Sequence, residues 1–264
     1  MPNDPMLSEA MEVVETKQVS GCKLEIIEYK RLLGAGSPME LFYRDKLNMR
    51  LRTIRATLEN GSLTTEPGQL HYMRGNVEMK VEGGGGVGGF LSRAVQSLAT
   101  GETMYKTEFV GQGQVFLEPT FNHYLMVDID DDEVVCDRGA FVAATGKFSY
   151  RSKKPDGIAA GMLSGEGYFQ PAIRGSGVVV LQSPVPQAEL TAVELNNDKL
   201  VVDGNFAIAR AGAIRMSIEK SAKSLIGSLR GGEGLVTVFS GTGIVWLAPT
   251  QAIYRQGIPS VPLA

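Results

Sequence analysis

The chain has 264 residues, of which 43% are hydrophobic, so it can bury a substantial core in one large or two ordinary domains. A formal net charge of −3 excludes the broad positive field that binds nucleic acid or an anionic membrane. The many glycines favour tight turns and short strands over long helices. Two cysteines, Cys22 and Cys136, argue against a disulfide scaffold and for a reducing compartment, although pairing between them stays open.

Residues 1–18 predict a flexible or loosely docked arm. The arm is rich in acidic side chains and has no basic start followed by an apolar run, so it predicts neither a secretory signal nor a mitochondrial presequence. No apolar run in the chain approaches the roughly 20 residues that span a bilayer. We therefore expect a cytoplasmic protein. The proline-rich residues 258–264 form an expected tail.

A repeated pattern between these ends predicts a mostly β fold. It divides a single domain, residues 20–257, into three tandem β units at 20–121, 122–188 and 189–257. Each unit contains Gly-Glu, a short mixed stretch, Gly-x-Gly, an apolar strand and Pro, at nearly constant spacing. A second landmark upstream contains Gly75, Gly146 or Gly212. The Gly-x-Gly pairs are Gly111 and Gly113, Gly175 and Gly177, and Gly241 and Gly243.

The apolar stretches predict the elements within each unit. Two amphipathic stripes, Phe90–Leu98 and Ile218–Leu229, predict short helices in units 1 and 3, and the first follows a glycine-rich insert that begins at Gly83. Each Gly-x-Gly is expected to supply a bulge or a positive-φ turn at the start of a strand. The run Val178–Leu181 predicts a strand buried on both faces. The expected core residues are Val115, Leu117, Val178, Val180, Ile244 and Trp246.

One combination of motifs resembles a known family. Phe90–Arg93, Gly101-Glu102, Phe109–Gly113 and Phe116-Leu117 together resemble the altered-inheritance-of-mitochondria protein 24 family, over about residues 20–257. The resemblance implies a fold like that of the tryptophan RNA-binding attenuation protein, with three β units about a pseudo-threefold axis. It implies no established enzymatic activity. The eukaryotic members are linked to inner-membrane organisation, but their presequence is absent here.

An axis of this kind would bring three equivalent carboxylates together. Glu102, Glu166 and Glu233 each follow a Gly and precede Gly-x-Gly, so they would lie at one height around it. A wide ring would leave solvated carboxylates that cap turns. A narrow ring would raise at least one pKa, or recruit a cation or a basic partner group.

The residues that carry chemistry do not form a recognisable active site. His71 and His123 lie in different units, and Gly-Ser-Gly at Ser176 is a repeat landmark rather than a nucleophile elbow. The acidic run at 128–133 lacks the glycine and glutamate spacing of a calcium loop, which leaves a solvated turn between strands or a weak divalent site. The glycine-rich insert lacks the Lys-Ser/Thr of a phosphate loop. We therefore predict no catalytic residues, no metal and no cofactor.

The sequence thus favours a non-enzymatic scaffold or interaction protein that self-associates or binds a protein partner, with no nucleic acid. The segment 83–98 either packs on the core or makes a partner or peripheral membrane contact. The alternative is a small-molecule or lipid-binding module with a pocket on the pseudo-threefold axis. An enzyme of unrecognised type is a third, more distant reading.

Overall fold

The structure, a computed structural model, describes residues 8–19, 21–31, 38–39, 42, 46, 49–81, 106–156, 169–220 and 235–252. These residues form a mostly β protein with one open antiparallel sheet. Its strands are β1 (Met11–Val19), β2 (Cys22–Tyr29), β3 (Arg52–Thr65), β4 (Leu70–Val81), β5 (Thr107–Leu117), β6 (His123–Cys136), β7 (Phe141–Lys153), β8 (Gln170–Ser183), β9 (Thr191–Val202), β10 (Ala207–Lys220) and β11 (Leu235–Leu247). A 3₁₀ helix spans Gln187–Glu189.

Nine of these strands form three groups that share one pairing order. In the first group β5 lies between β3 and β4, in the second β8 lies between β6 and β7, and in the third β11 lies between β9 and β10. All of these pairs are antiparallel. The remaining two strands form a hairpin that joins the first group, because β2 pairs with the first half of β3.

The first strand of each group carries a bulge at one residue with positive φ, which is Asn60, Asp131 or Asn197. The middle residue of Gly-x-Gly lies opposite and bonds to it. Gln112 Nε2 donates to Asn60 Oδ1 at 3.1 Å, whereas the backbone N–H of Asp131 donates to Ser176 Oγ at 2.8 Å. The N–H of Asn197 donates to Thr242 Oγ1 at 3.0 Å. The bulge therefore lies in the facing strand, not at Gly-x-Gly itself.

The Gly-x-Gly pairs lie near the middle of β5, β8 and β11, so the expectation that they begin strands is wrong. Their positive φ is confirmed, and Gly175 has φ +150°. A Cβ built on Gly175 would lie 1.9 Å from the carbonyl oxygen of Lys147 on β7. Because no real Cβ approaches backbone so closely, the strands can pair here only with glycine.

Three hydrophobic clusters form the core, one centred on each group. The run Val178–Leu181 is buried throughout, as expected for a strand covered on both faces, and Val115 and Leu117 are buried too. In β11 the inward residues are Val245 and Leu247, while Ile244 and Trp246 are half-buried. The expected core pattern is thus confirmed in β5 and β8 but shifted by one residue in β11.

Three further expectations need correction. The part of the predicted arm at Met11–Val19 is an edge strand paired with β2. Ile218, the expected start of a helix, lies in β10, while the rest of that stripe is outside the described residues. The acidic run at 128–133 lies inside β6 rather than in a turn between strands. The Phe90–Leu98 stripe, the glycine-rich insert and the tail also fall outside the described residues.

Candidate functional site

Neighbouring groups meet at a short antiparallel junction that uses the same positions twice. Between the first and second groups, Thr64 pairs with Ala144 and Thr65 with Ala143. Between the second and third groups, Val135 pairs with Arg210 and Cys136 with Ala209. Thr64 and Val135 each lie four residues after the positive-φ residue of their strand. Ala144 and Arg210 each lie two residues before the landmark glycine of theirs, so the two junctions share one register.

An acidic residue follows the first strand at both junctions and extends the pairing. The N–H of Glu66 donates to the carbonyl of Val142 at 3.2 Å, and the N–H of Asp137 donates to the carbonyl of Ile208 at 2.9 Å. Val142 and Ile208 hold equivalent places in β7 and β10. The backbone of the acidic residue therefore closes each junction, while its carboxylate is left to bind a neighbouring side chain.

The carboxylate at the first junction binds a buried lysine. Lys106 Nζ lies 2.6 Å from Glu66 Oε1, with its side chain only 2% exposed. The same ammonium lies 4.5 Å from the centre of the Phe141 ring and 5.8 Å from that of Tyr150, both on β7. Lys106 thus links the start of β5 to the adjacent group through an ion pair and cation–π contacts.

The carboxylate at the second junction is linked to a buried arginine through an amide. Gln170 Nε2 donates to Asp137 Oδ1 at 2.9 Å, and an Arg210 NH1 group donates to Gln170 Oε1 at 2.7 Å. Arg210 also lies 6.0 Å from the centre of the Phe239 ring. Gln170 occupies the place of Lys106, five residues before the first landmark glycine. Each junction therefore contains a cation, an acid and an aromatic ring in a different combination.

The third possible junction is open. The equivalent residues are Val201 on β9 and Met73 on β4, but no backbone pairing joins these two strands in the described ranges. Val201 is 52% exposed, Met73 42% and the adjacent Tyr72 41%, whereas Ala143 and Ala144 are at most 1% exposed. These apolar residues on the outer edges of β4 and β9 are here called the open junction.

Two buried thiols and one histidine are held in unreactive forms. Burial, with a smaller contribution from Asp137, raises the pKa of the Cys136 thiol far above its ordinary value. Burial raises the pKa of Cys22 to about 11, although a hydrogen bond with Thr145 opposes the shift. Burial, and then the charge of Arg52, lower the pKa of His123 to about 4. At neutral pH both thiols are therefore protonated and this imidazole is uncharged.

A separate ion cluster fixes β7 within its own group. Glu133 on β6 binds Arg151 and Lys153 on β7 across the intervening β8. Burial would raise the pKa of Glu133, but hydrogen bonds and charges from Lys153 and Arg151 outweigh that effect and lower it. Glu133 is thus ionised and paired with another strand of its own group, which makes its role structural.

The residues that the sequence proposed for a site have different outcomes. Glu102, Glu166 and Glu233 lie outside the described residues, so the carboxylate ring stays a prediction. Ser176 caps the bulge of β6, which gives it a structural role. In the described ranges no cluster of three or more His, Cys, Asp or Glu could hold a metal ion.

Two cavities adjoin the closed junctions. The smaller lies at the second junction beside Asp137, Gln170 and Arg210. Its volume is about 10 Å³, enough for about one water molecule. The larger is an open cleft of about 500 Å³ at the first junction, with Lys147 and Arg174 among its lining residues. Neither encloses a ligand as small-molecule pockets do.

The sequence carries a further repeated signal, at the junctions. An acidic residue follows the first strand of all three groups, at Glu66, Asp137 and Asp203. This acidic residue lies one or two residues before a glycine in every group, so it recurs as regularly as the Gly-Glu landmark. The position of Lys106 and Gln170 holds Val236 in the third group. The position of Arg210 holds Met73 and Ala144 in the other two groups, so repetition alone could not identify these polar residues.

This geometry defines a repetitive β-sheet protein whose groups are joined through buried polar contacts. The sequence model of the family described as "Mitochondrial biogenesis AIM24" matches residues 46–250, and the chain belongs to that family. The chain is similar in fold to the crystal structure of protein SPYM3_0169 from Streptococcus pyogenes. The two share 23% identity with a TM-score of 0.56, over 79% of this chain and 92% of the other. No curated protein matches the chain significantly.

The match with the Streptococcus protein concerns the fold alone. Within the described ranges, no helix is both long and apolar enough to cross a bilayer.

Proposed function

We propose that the chain is a non-enzymatic scaffold or interaction protein of the cytoplasm, built from three tandem β units. The open junction is the observation that carries this proposal. It presents two strand edges with exposed apolar side chains at positions that are buried or half-buried in the two closed junctions. Exposed apolar strand edges are templates for pairing with another chain. The cytoplasmic location rests on the two free thiols, Cys22 and Cys136.

The chemistry of the buried groups also supports a binding role over catalysis. The charged residues of the closed junctions are engaged with one another, and the pKa shifts of Cys22, Cys136 and His123 favour their unreactive forms. Catalytic groups are instead tuned toward the operating pH. The segment at residues 83–98 is a second proposed contact surface, toward a protein or a membrane.

Native mass spectrometry of the protein purified from its own source tests this function. We expect complexes that contain more than one polypeptide and no small-molecule adduct. A single chain without partner or adduct would contradict the proposal, because a scaffold must bind another chain.

A second candidate is a small-molecule or lipid-binding module with a pocket on a pseudo-threefold axis, as in the fold of the tryptophan RNA-binding attenuation protein. The open cleft of about 500 Å³ at the first junction favours it, since Lys147 and Arg174 line the cleft and cationic groups bind anions. The axis would require β9 to pair with β4 of the same chain. A single chain that retains an adduct in the same spectra would favour this candidate.

A further inference from the structure

The two closed junctions show what kind of strand the open edge of β4 accepts. In both, the second strand of one group receives the last residues of a first strand, in antiparallel register. The first halves of β7 and β10 are largely buried on both faces as a result. The matching part of β4, from His71 to Arg74, is exposed. The strand that would cover this edge is therefore the first strand of a group. It would pair with β4 in the register in which β3 pairs with β7 and β6 with β10.

The chain itself contains that strand. The outer edge of β9 is the remaining first-strand edge without a junction in the described part of the chain. Val201 holds the position of Thr64 and Val135, and Asp203 the position of Glu66 and Asp137. In the shared register Val201 would pair with Met73, and the N–H of Asp203 would donate to the carbonyl of His71. One chain therefore carries both halves of a junction.

The side chains at the open junction differ in kind from those at the closed ones. The closed positions hold the small residues Ala143 and Ala144 on β7, which belong to two hydrophobic clusters, and the buried Ala209 and Arg210 on β10. The corresponding residues on β4 are Tyr72 and Met73. Tyr and Met are enriched in the cores of interfaces between chains, where they supply contact area from one partner to another.

Within the described residues, the two halves do not pair in one chain. Two segments of one chain meet at an effective concentration near the millimolar range. If β4 and β9 could reach each other, they would therefore pair within the chain before either paired with a second chain. In the part of the chain that the structure describes, two junctions have formed and the third has not. We propose that a second copy of this chain completes the third junction by adding its β9 to β4, so that the chains associate head to tail. A head-to-tail contact closes into a ring or continues as a filament.

Disulfide trapping between two single variants tests this proposal, which rests on the proposed interaction function. Met73→Cys and Val201→Cys are made in separate full-length chains, mixed and treated with a mild oxidant. Residues directly opposite in an antiparallel pair have Cβ atoms about 4.5–5.5 Å apart, close enough for a disulfide after a small adjustment. We expect a disulfide-linked dimer well above the control level, formed at the contacts where β4 of the first variant meets β9 of the second. The native Cys22 and Cys136 are both buried and do not compete.

The matched control combines Val14→Cys with Val201→Cys, because Val14 on β1 is similarly exposed at 49% but lies outside the junction. No more than background cross-linking is expected there. Met73→Lys adds a readout without cysteines: in native mass spectrometry it should convert the wild-type assembly into single chains, whereas Val14→Lys should not.

Three results would overturn self-association. They are a wild-type chain that stays single, a mixture no more cross-linked than its control, and a chain carrying both cysteines that forms only an internal disulfide. The interaction function can survive this failure: protein from its own source that carries a different polypeptide would support the scaffold while removing the second copy. A single chain with neither partner would contradict both proposals.

Discussion

Strands β7 and β4 hold the same place in their groups but lie in opposite surroundings. Both pair with a central strand through a landmark glycine, Gly146 in β7 and Gly75 in β4. The first half of β7 is buried between two hydrophobic clusters, whereas the same half of β4 is largely exposed. The pairing inside a group therefore does not decide burial. Burial is decided by whether a neighbouring group reaches the outer edge.

The two strands should differ most in the stability that is lost when their first paired residue is truncated to alanine. Phe141 of β7 is 1% exposed, whereas Leu70 of β4 is only partly buried. Phe141→Ala should lower the free energy of unfolding by about 3–5 kcal/mol and Leu70→Ala by about 1 kcal/mol, because a cavity forms only where the site is enclosed. Urea unfolding of both variants measures this. Equal losses would show that β4 is packed as β7 is.

Lys106 sharpens the comparison, since it contacts β7, whereas the equivalent residue of the third group is the apolar Val236 on β11. Lys106→Met should lower the free energy of unfolding by about 2 kcal/mol, because Glu66 loses its partner but stays partly hydrated. The exposed Lys80→Met on β4 is the control and should change it by less than about 0.5 kcal/mol. Thermal and urea unfolding report both, and an unaffected Lys106→Met would remove the ion pair from the account of the junction.

A smaller effect is expected from Glu133, which binds β7, whereas the equivalent residue in the group of β4 is Ser62 on β3. Glu133→Gln should lower the free energy of unfolding at pH 7 because it removes the ion pairs with Arg151 and Lys153. The loss should be only about 1 kcal/mol, because both cations are solvent-exposed and water screens their charges. The folded-state pKa of Glu133 is lowered, so its stabilisation is present above the unfolded pKa of about 4.5 and is lost as pH falls through the folded value.

The difference between Glu133→Gln and wild type should therefore shrink below about pH 4. Asp131→Asn is the matched control, because its carboxylate is 91% exposed and Asn also tolerates positive φ. Unfolding curves at several pH values test this, and a Glu133→Gln deficit that persists at pH 3 would contradict the assigned ion pair.

The sequence predicted the mostly β fold and the landmark glycines but not which residues face inward everywhere. In β11 the run from Ile244 to Leu247 is apolar at every position, so either alternation fits it, and a shift of one residue exchanges the two faces. The helix expected from Ile218 had a competing signal. Ile214, Met216 and Ile218 alternate along β10 and are all buried, which is the period of a strand.

The junctions were harder to predict because they depend on contacts between groups. The repeat shows that three stretches are alike, but not which edges meet or whether the third junction forms. The bulge residues Asn60, Asp131 and Asn197 lie far from their partners in Gly-x-Gly along the chain. Only the fold brings them together.

Hydrogen exchange at several protein concentrations tests the central claim, that the edge of β4 is a first-strand acceptor filled by a second chain. Peptides from the first half of β7 should be protected at every concentration, because their junction is internal. Peptides from the first half of β4 and the end of β9 should gain protection together as the chains associate, and lose it on dilution. Protection of β4 that does not change on dilution, or β4 amides that stay open in the assembly, would contradict it.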